Sequence, residues 1–272
     1  FTNLLAIADR YMIVHFSDLT STQAATVVGN YHSSRVVPLL IVSIAGMIGG
    51  MLLPHVTHDW EAGRRDAVSQ RINLLLKSFG LAFVLAAIGI LATAPPLFSI
   101  VLAGKYAAGL DVLPLTLTYC VWFSIALLAE VYLWTAERPG LACLAYFFGL
   151  LANVVLNWFL LPIYGLHGAV IATTAGNAIA LALALAISQR HGLKFDPAVW
   201  MIALLPVCLL FGVIPSAIAW IIVVALAIKT NWLFDETQKQ TIAESVGAYV
   251  HKLRRIFFVS LSREVNHIQT VN

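Results

Sequence analysis

Five ionisable residues, Asp9, Arg10, Arg35, Lys77 and Glu130, interrupt stretches of sequence that are otherwise apolar. Charges at membrane depth are costly, so they face a polar interior and mark paths for ions or substrates. A carboxylate such as Asp9, beside a cation, suits coupling to a proton or ion, because small changes of solvation shift its charge. Arg10 and Arg35 could line a cationic cavity, since guanidinium groups make directed bonds to phosphate or carboxylate oxygens. The plain structural alternative is that Asp9 and Arg35 pair with each other. Glu130 lies seven residues before Glu137, about 10 Å inside a helix, where a protonatable carboxylate or a buried pair would explain it equally. Lys77 opens an apolar run, so a snorkelling lysine accounts for it as well as a ligand role. His55 and His58 have no third ligand nearby, and Cys120, Cys143 and Cys208 have no paired spacing, so neither a metal site nor a disulfide framework is expected. No catalytic constellation is apparent.

These residues must be held by membrane-spanning helices. The 272 residues are 60% hydrophobic and only 11% charged, with a mean hydropathy of +0.88, against about 25% charged in soluble domains. A net charge of +3 is too small and scattered for a nucleic-acid footprint. Residues 36–54, 78–104, 112–129, 139–189 and 197–228 contain no Asp, Glu, Lys or Arg, and a span needs about 20 apolar residues. The run 139–189 should fold back at Pro162 to Gly168, giving spans near 140–161 and 168–188, and 197–228 at Gly212 to Ser216, giving two short spans. Residues 1–16 read as one span, and 22–54 as a long helix interrupted at Arg35 and Pro38. The expected fold is an all-α polytopic transmembrane bundle of about eight spans. Small residues at Gly46 and Gly50, and at Ala172 and Gly176, are expected to let helices touch.

The basic residues set the orientation, because Lys and Arg collect in short cytoplasmic loops. Arg64, Arg65, Arg71, Arg138, Arg190, Lys194 and the basic residues from Lys229 onward fall on one side, and only Lys105 on the other. The first side is therefore expected to be cytoplasmic, in a multi-pass protein of the cytoplasmic membrane with its C-terminus inside. Trp60, Trp134, Trp200 and Trp232 fall near the cytoplasmic ends of spans, as an interfacial belt requires. Residues 230–272 turn polar and read as a cytoplasmic amphipathic tail, on the inner leaflet or on the protein itself. The first residue is Phe1 and no signal peptide follows, so the sequence is expected to be part of a longer chain.

Several segments together resemble the polysaccharide-biosynthesis flippases of the multidrug, oligosaccharidyl-lipid and polysaccharide exporter superfamily. Asp9-Arg10-Tyr11-Met12-Ile13 resembles the Asp-Arg signature in the first helix of that family's C-terminal lobe, and Val28-Gly29-Asn30-Tyr31 the start of the next. Leu102 to Tyr106, followed by Val112 to Leu115, is similar to an outer loop and the tenth helix. The most specific piece runs from Asn153 and Asn157 through Leu161-Pro162, Gly165, Gly168-Ala169 and Ile171-Ala172-Thr173, which is similar to the eleventh and twelfth helices.

The resemblance implies that residues 1–192 form the second lobe of a two-lobe flippase, with about six spans. Residues 193–229 would add two short spans, and an N-terminal lobe of the same protein would precede them. It implies alternating-access movement of a polyprenyl-diphosphate-linked glycan across the cytoplasmic membrane, with no cofactor and no enzymatic step. Arg10 and Arg35 would then hold the anionic carrier and Asp9 would couple to an ion. Glu130, which has no assigned position in the family, remains the other ion-coupling candidate. A cation-coupled multidrug exporter of the same superfamily is the alternative, and a membrane-embedded glycan polymerase or ligase a more distant one, disfavoured by the short outer loops.

Overall fold

In the computed structural model, residues 2–15, 20–101 and 103–244 are described, and they are helical almost throughout. Five helices are long and apolar enough to cross a membrane, as expected for a multi-pass membrane protein. The order is α1 Thr2–His15, α2 Ser21–Val36, α3 Leu39–Glu61, α4 Arg65–Pro96, α5 Ala107–Asp111, α6 Leu113–Thr135, α7 Pro139–Tyr164, α8 Leu166–Arg190, α9 Ala198–Leu204 and α10 Val213–Lys229. The spanning candidates are α3, α4 with its π-helical extension to Val101, α6, α7 and α8. At 14 and 16 residues, α1 and α2 are shorter, as are the apolar stretches Ala198–Phe211 and Val213–Lys229. Expected turns are found at the α7–α8 and α9–α10 junctions, where Gly165 and Gly212 adopt φ of +53° and +92°, a region that side-chain-bearing residues avoid. The chain divides into two compact units, the first ending at Val223.

Within the first unit α6 is the central helix, with 72% of its apolar window buried against 28% for α7 and 22% for α3. It packs on α3, α4 and α8, while α7 and α8 form the most extensive pair. The expected close approach at Gly176 is present. A Cβ there would lie 2.7 Å from the Gly149 carbonyl oxygen, and one at Gly149 equally close to the Gly176 oxygen. Gly46 and Gly50 correct the expectation of helix contact, because a Cβ at either would meet nothing within 4 Å. The interruption expected near Pro38 in the run 22–54 is present and separates α2 from α3. Pro38 has no N–H to continue the ladder, and α3 restarts through Leu40 and Ile41 N–H groups donating to the Val37 and Pro38 carbonyls at 3.0 Å.

Backbone groups freed by irregular segments find side-chain partners, as the bilayer interior requires. Leu205–Phe211 is a 3-10 turn containing Pro206. The Trp122 indole donates to the Ala203 carbonyl at 2.7 Å and the Thr118 hydroxyl to the Pro206 carbonyl at 3.2 Å.

One face of α4 carries Asp66, Ser69, Asn73 and Lys77, and it binds the segment that enters α9. The Asn73 amide donates to the Lys194 carbonyl and accepts from the Asp196 N–H, Lys194 pairs with Asp66 at 2.7 Å, and Lys77 pairs with Asp196 at 2.6 Å. The Asp66 hydrogen bond and charge raise the Lys194 ammonium above its ordinary pKa. Lys77 is fully buried, so its aliphatic stem does not snorkel; its charge is balanced inside the protein. Asp196 also accepts from the Ala198 N–H and so caps α9.

In the second unit, residues 236–244 are helical, started by Asp235 accepting from the Gln238 N–H at 2.7 Å. Most of the expected amphipathic tail, residues 245–272, lies outside the described residues.

Candidate ion-coupling site

Successive residues on a helix point about 100° apart, so Asp9 and Arg10 on α1 cannot share an environment. Asp9 turns into the protein and is fully buried, whereas Arg10 is half-buried. Two successive residues of α2 receive them. The Tyr31 hydroxyl donates to Asp9 Oδ2 at 2.5 Å, and Arg10 Nη2 donates to His32 Nδ1 at 3.2 Å. Acceptance at Nδ1 requires His32 to be neutral with its proton on Nε2.

The remaining Asp9 partners come from the α7–α8 pair. Asn153 and Asn157, one turn apart on α7, each donate an amide N–H to Oδ1 at 2.9 Å. Thr173 on α8 has its hydroxyl 2.8 Å from Oδ2 and 2.9 Å from the Ala169 carbonyl, so its single proton serves one acceptor at a time. All four partners are neutral. A buried carboxylate is tolerable when its oxygens are hydrogen-bonded, and bonds to a charged group contribute about 1.5–3 kcal/mol each. The close crossing at Gly149 and Gly176 fixes this geometry, because Asn153 lies one turn from Gly149 and Thr173 one turn before Gly176 on the facing helix.

The cluster is also a set of oxygens. Asn153 Oδ1 and Asn157 Oδ1 are buried and accept no hydrogen bond. A half-turn of either amide would present a carbonyl oxygen where its N–H now points. Two carboxylate oxygens, two amide oxygens and the Thr173 hydroxyl are hard ligands of the kind that take a proton or a small hard cation.

Arg35 lies one turn beyond Tyr31 on α2, with its guanidinium 4.9 Å from the Tyr31 ring centroid. It is 3% exposed, so it is buried rather than facing an open cavity. It reaches the Asp9 cluster through the ring whose hydroxyl binds Asp9. Gly29, on the same helix, leaves room for the Tyr106 ring, which a Cβ would approach at 3.2 Å.

Glu130 is not part of this assembly. It lines a separate hollow between α3 and α6, with the Tyr146 hydroxyl of α7 beside it and forming no well-directed hydrogen bond. Of the charges that stand out in the sequence, Asp9 lies in the cluster, Arg35 adjoins it through Tyr31, and Arg10 faces away to His32. The four donors to Asp9 and the His32 partner of Arg10 have no charge in the apolar runs to mark them. Asn153 with Asn157, at i and i+4 in an uncharged run, was the available signal for a polar helix face. Comparison with models of known protein families, with characterised proteins and with solved structures finds no match to this chain.

Proposed function

We propose that this chain is one transmembrane lobe of an ion-coupled flippase that moves an anionic, polyprenyl-diphosphate-linked glycan across the cytoplasmic membrane by alternating access. The observation that carries the reading is the fully buried Asp9 carboxylate, held by neutral donors from three other helices and adjoining two arginines on α1 and α2. A proton or cation arriving at Asp9 competes directly with the α2, α7 and α8 hydrogen bonds. It can therefore change how α1 and α2 sit on the α7–α8 pair, and those two helices carry the arginines. Arg10, half-buried, is the first ligand for the diphosphate. Arg35, buried over the Tyr31 ring in this conformation, becomes the second when α2 moves. In this proposal a companion lobe completes the cavity, membrane lipid surrounds it, and the C-terminus lies in the cytoplasm. The cation-coupled exporter is less favoured, because Arg10 and Arg35, on the two helices that hold Asp9 and Tyr31, would repel an organic cation.

The test is transport of lipid-linked glycan in proteoliposomes of the complete transporter, with and without an imposed sodium or proton gradient. Asp9→Asn keeps the shape and loses the charge. It is expected to leave protein abundance near normal and abolish stimulation by the gradient, while Arg10→Ala lowers transport under every gradient. Full stimulation of Asp9→Asn by both gradients would remove Asp9 from the coupling step.

A further inference from the structure

The hollow beside Glu130 differs chemically from the Asp9 cluster. It encloses about 280 Å³ between α3 and α6. Its α3 wall is made by Gly46, Gly49, Gly50 and Leu53, and the space exists because Gly46 and Gly50 have no side chains to fill it. Its α6 wall presents Glu130 and Trp134, which are four residues apart and share a face. Glu130 is the one ionisable group in the lining, and the rest of the wall is largely apolar. It lies five residues before the end of α6, about 8 Å along the helix. The described residues supply no ion pair to it, and the neighbouring Tyr146 hydroxyl is neutral. Trp134 is 50% exposed, with its ring at the rim.

A small inorganic cation is a poor occupant, because such ions need several oxygen ligands and here one carboxylate provides them all. A neutral apolar molecule would match the wall but make no use of its one carboxyl group. The fitting chemistry is a cation that carries its own apolar covering, set between the carboxylate and an aromatic face. We infer that the Glu130–Trp134 hollow is a binding site for a small organic ammonium ion, separate from the Asp9 coupling site. The ammonium could belong to a free amine or to an amine-bearing lipid headgroup, and both present the same group to Glu130.

The test is equilibrium dialysis of benzyltrimethylammonium against the purified protein in dodecyl maltoside micelles, which contain no charged lipid. Saturable binding is expected, with its uncharged isostere neopentylbenzene binding far more weakly. Glu130→Gln should weaken binding about tenfold or more by removing the charged partner, and Glu130→Asp should retain most of it. Gly50→Leu should abolish binding by filling the hollow while leaving Glu130 in place. Added phosphatidylethanolamine competes if a headgroup can reach the site; indifference to it assigns the site to free amines. Wild-type affinity in Glu130→Gln or in Gly50→Leu, equal binding of the isostere, or no saturable binding by the wild type would overturn the inference. Binding in micelles needs neither glycan nor gradient, so failure here leaves the flippase reading standing, and failure of glycan transport leaves this one standing.

Discussion

At the scale of single residues, the informative feature is that a buried carboxylate is held by hydroxyl and amide groups. Tyr31 does two things at once: its hydroxyl binds Asp9 and its ring lies beneath Arg35. Tyr31→Phe separates them, keeping the ring and removing one charge-assisted bond. It should lower stability in micelles by about 1.5–3 kcal/mol, measured as a fall in unfolding temperature, and the loss should shrink to about 1 kcal/mol or less in an Asp9→Asn background, where only a neutral bond can form. Asp9, Arg10 and Arg35 were legible in the sequence because a charge stands out in an apolar run. Thr173 and Tyr31 were not. A threonine or tyrosine in a membrane helix is common, and only the fold decides which of them faces a carboxylate.

At the scale of helices, two contacts hold the site together. The α7–α8 crossing tolerates no added atom at Gly149, where a Cβ would meet the Gly176 oxygen at 2.7 Å and the Ala180 Cβ at 2.8 Å. Gly149→Ala should cost about 1–3 kcal/mol by overpacking and weaken ion coupling by shifting Asn153. Gly140→Ala, with open space around it, should be neutral in both respects. Thermal unfolding of the two variants side by side checks this. The second contact is the polar face of α4. Asp196→Ala removes the carboxylate partner of the fully buried Lys77 and the cap of α9, with an expected loss of about 3 kcal/mol, moderated because Asp196 is partly open to water. Replacing Lys77 by Met in the same chain should recover part of that loss. Apolar run length and Gly/Pro punctuation foretold the turns at Gly165 and Gly212. They could not foretell the α4 start at Arg65, since the first turns of α4 are polar and their helicity depends on the α9 segment they bind.

At the scale of the whole molecule, the distribution of basic residues makes the orientation testable. Ala62, beside Arg64, and Ala108, beside the loop containing Lys105, are both exposed. In a variant lacking Cys120, Cys143 and Cys208, Ala62→Cys should react with an impermeant thiol reagent only after cells are permeabilised, and Ala108→Cys in intact cells. The reverse pattern would invert the protein in the membrane. Five helices are long enough to span, whereas run-counting had suggested about eight. The difference lies in α1 and the two stretches between Ala198 and Lys229, whose length alone does not decide a crossing.

The distances along the chain between Asp9 and its partners bear on how the protein is made. Asn153 and Thr173 lie 144 and 164 residues downstream of Asp9. At about 5–20 residues per second of synthesis, the carboxylate leaves the ribosome roughly 8–33 s before Thr173 does. Through that interval only the Tyr31 bond from α2 can form, and the Asn153, Asn157 and Thr173 bonds must wait. The Asp9 cluster is thus complete only once both helices of the α7–α8 pair have been made.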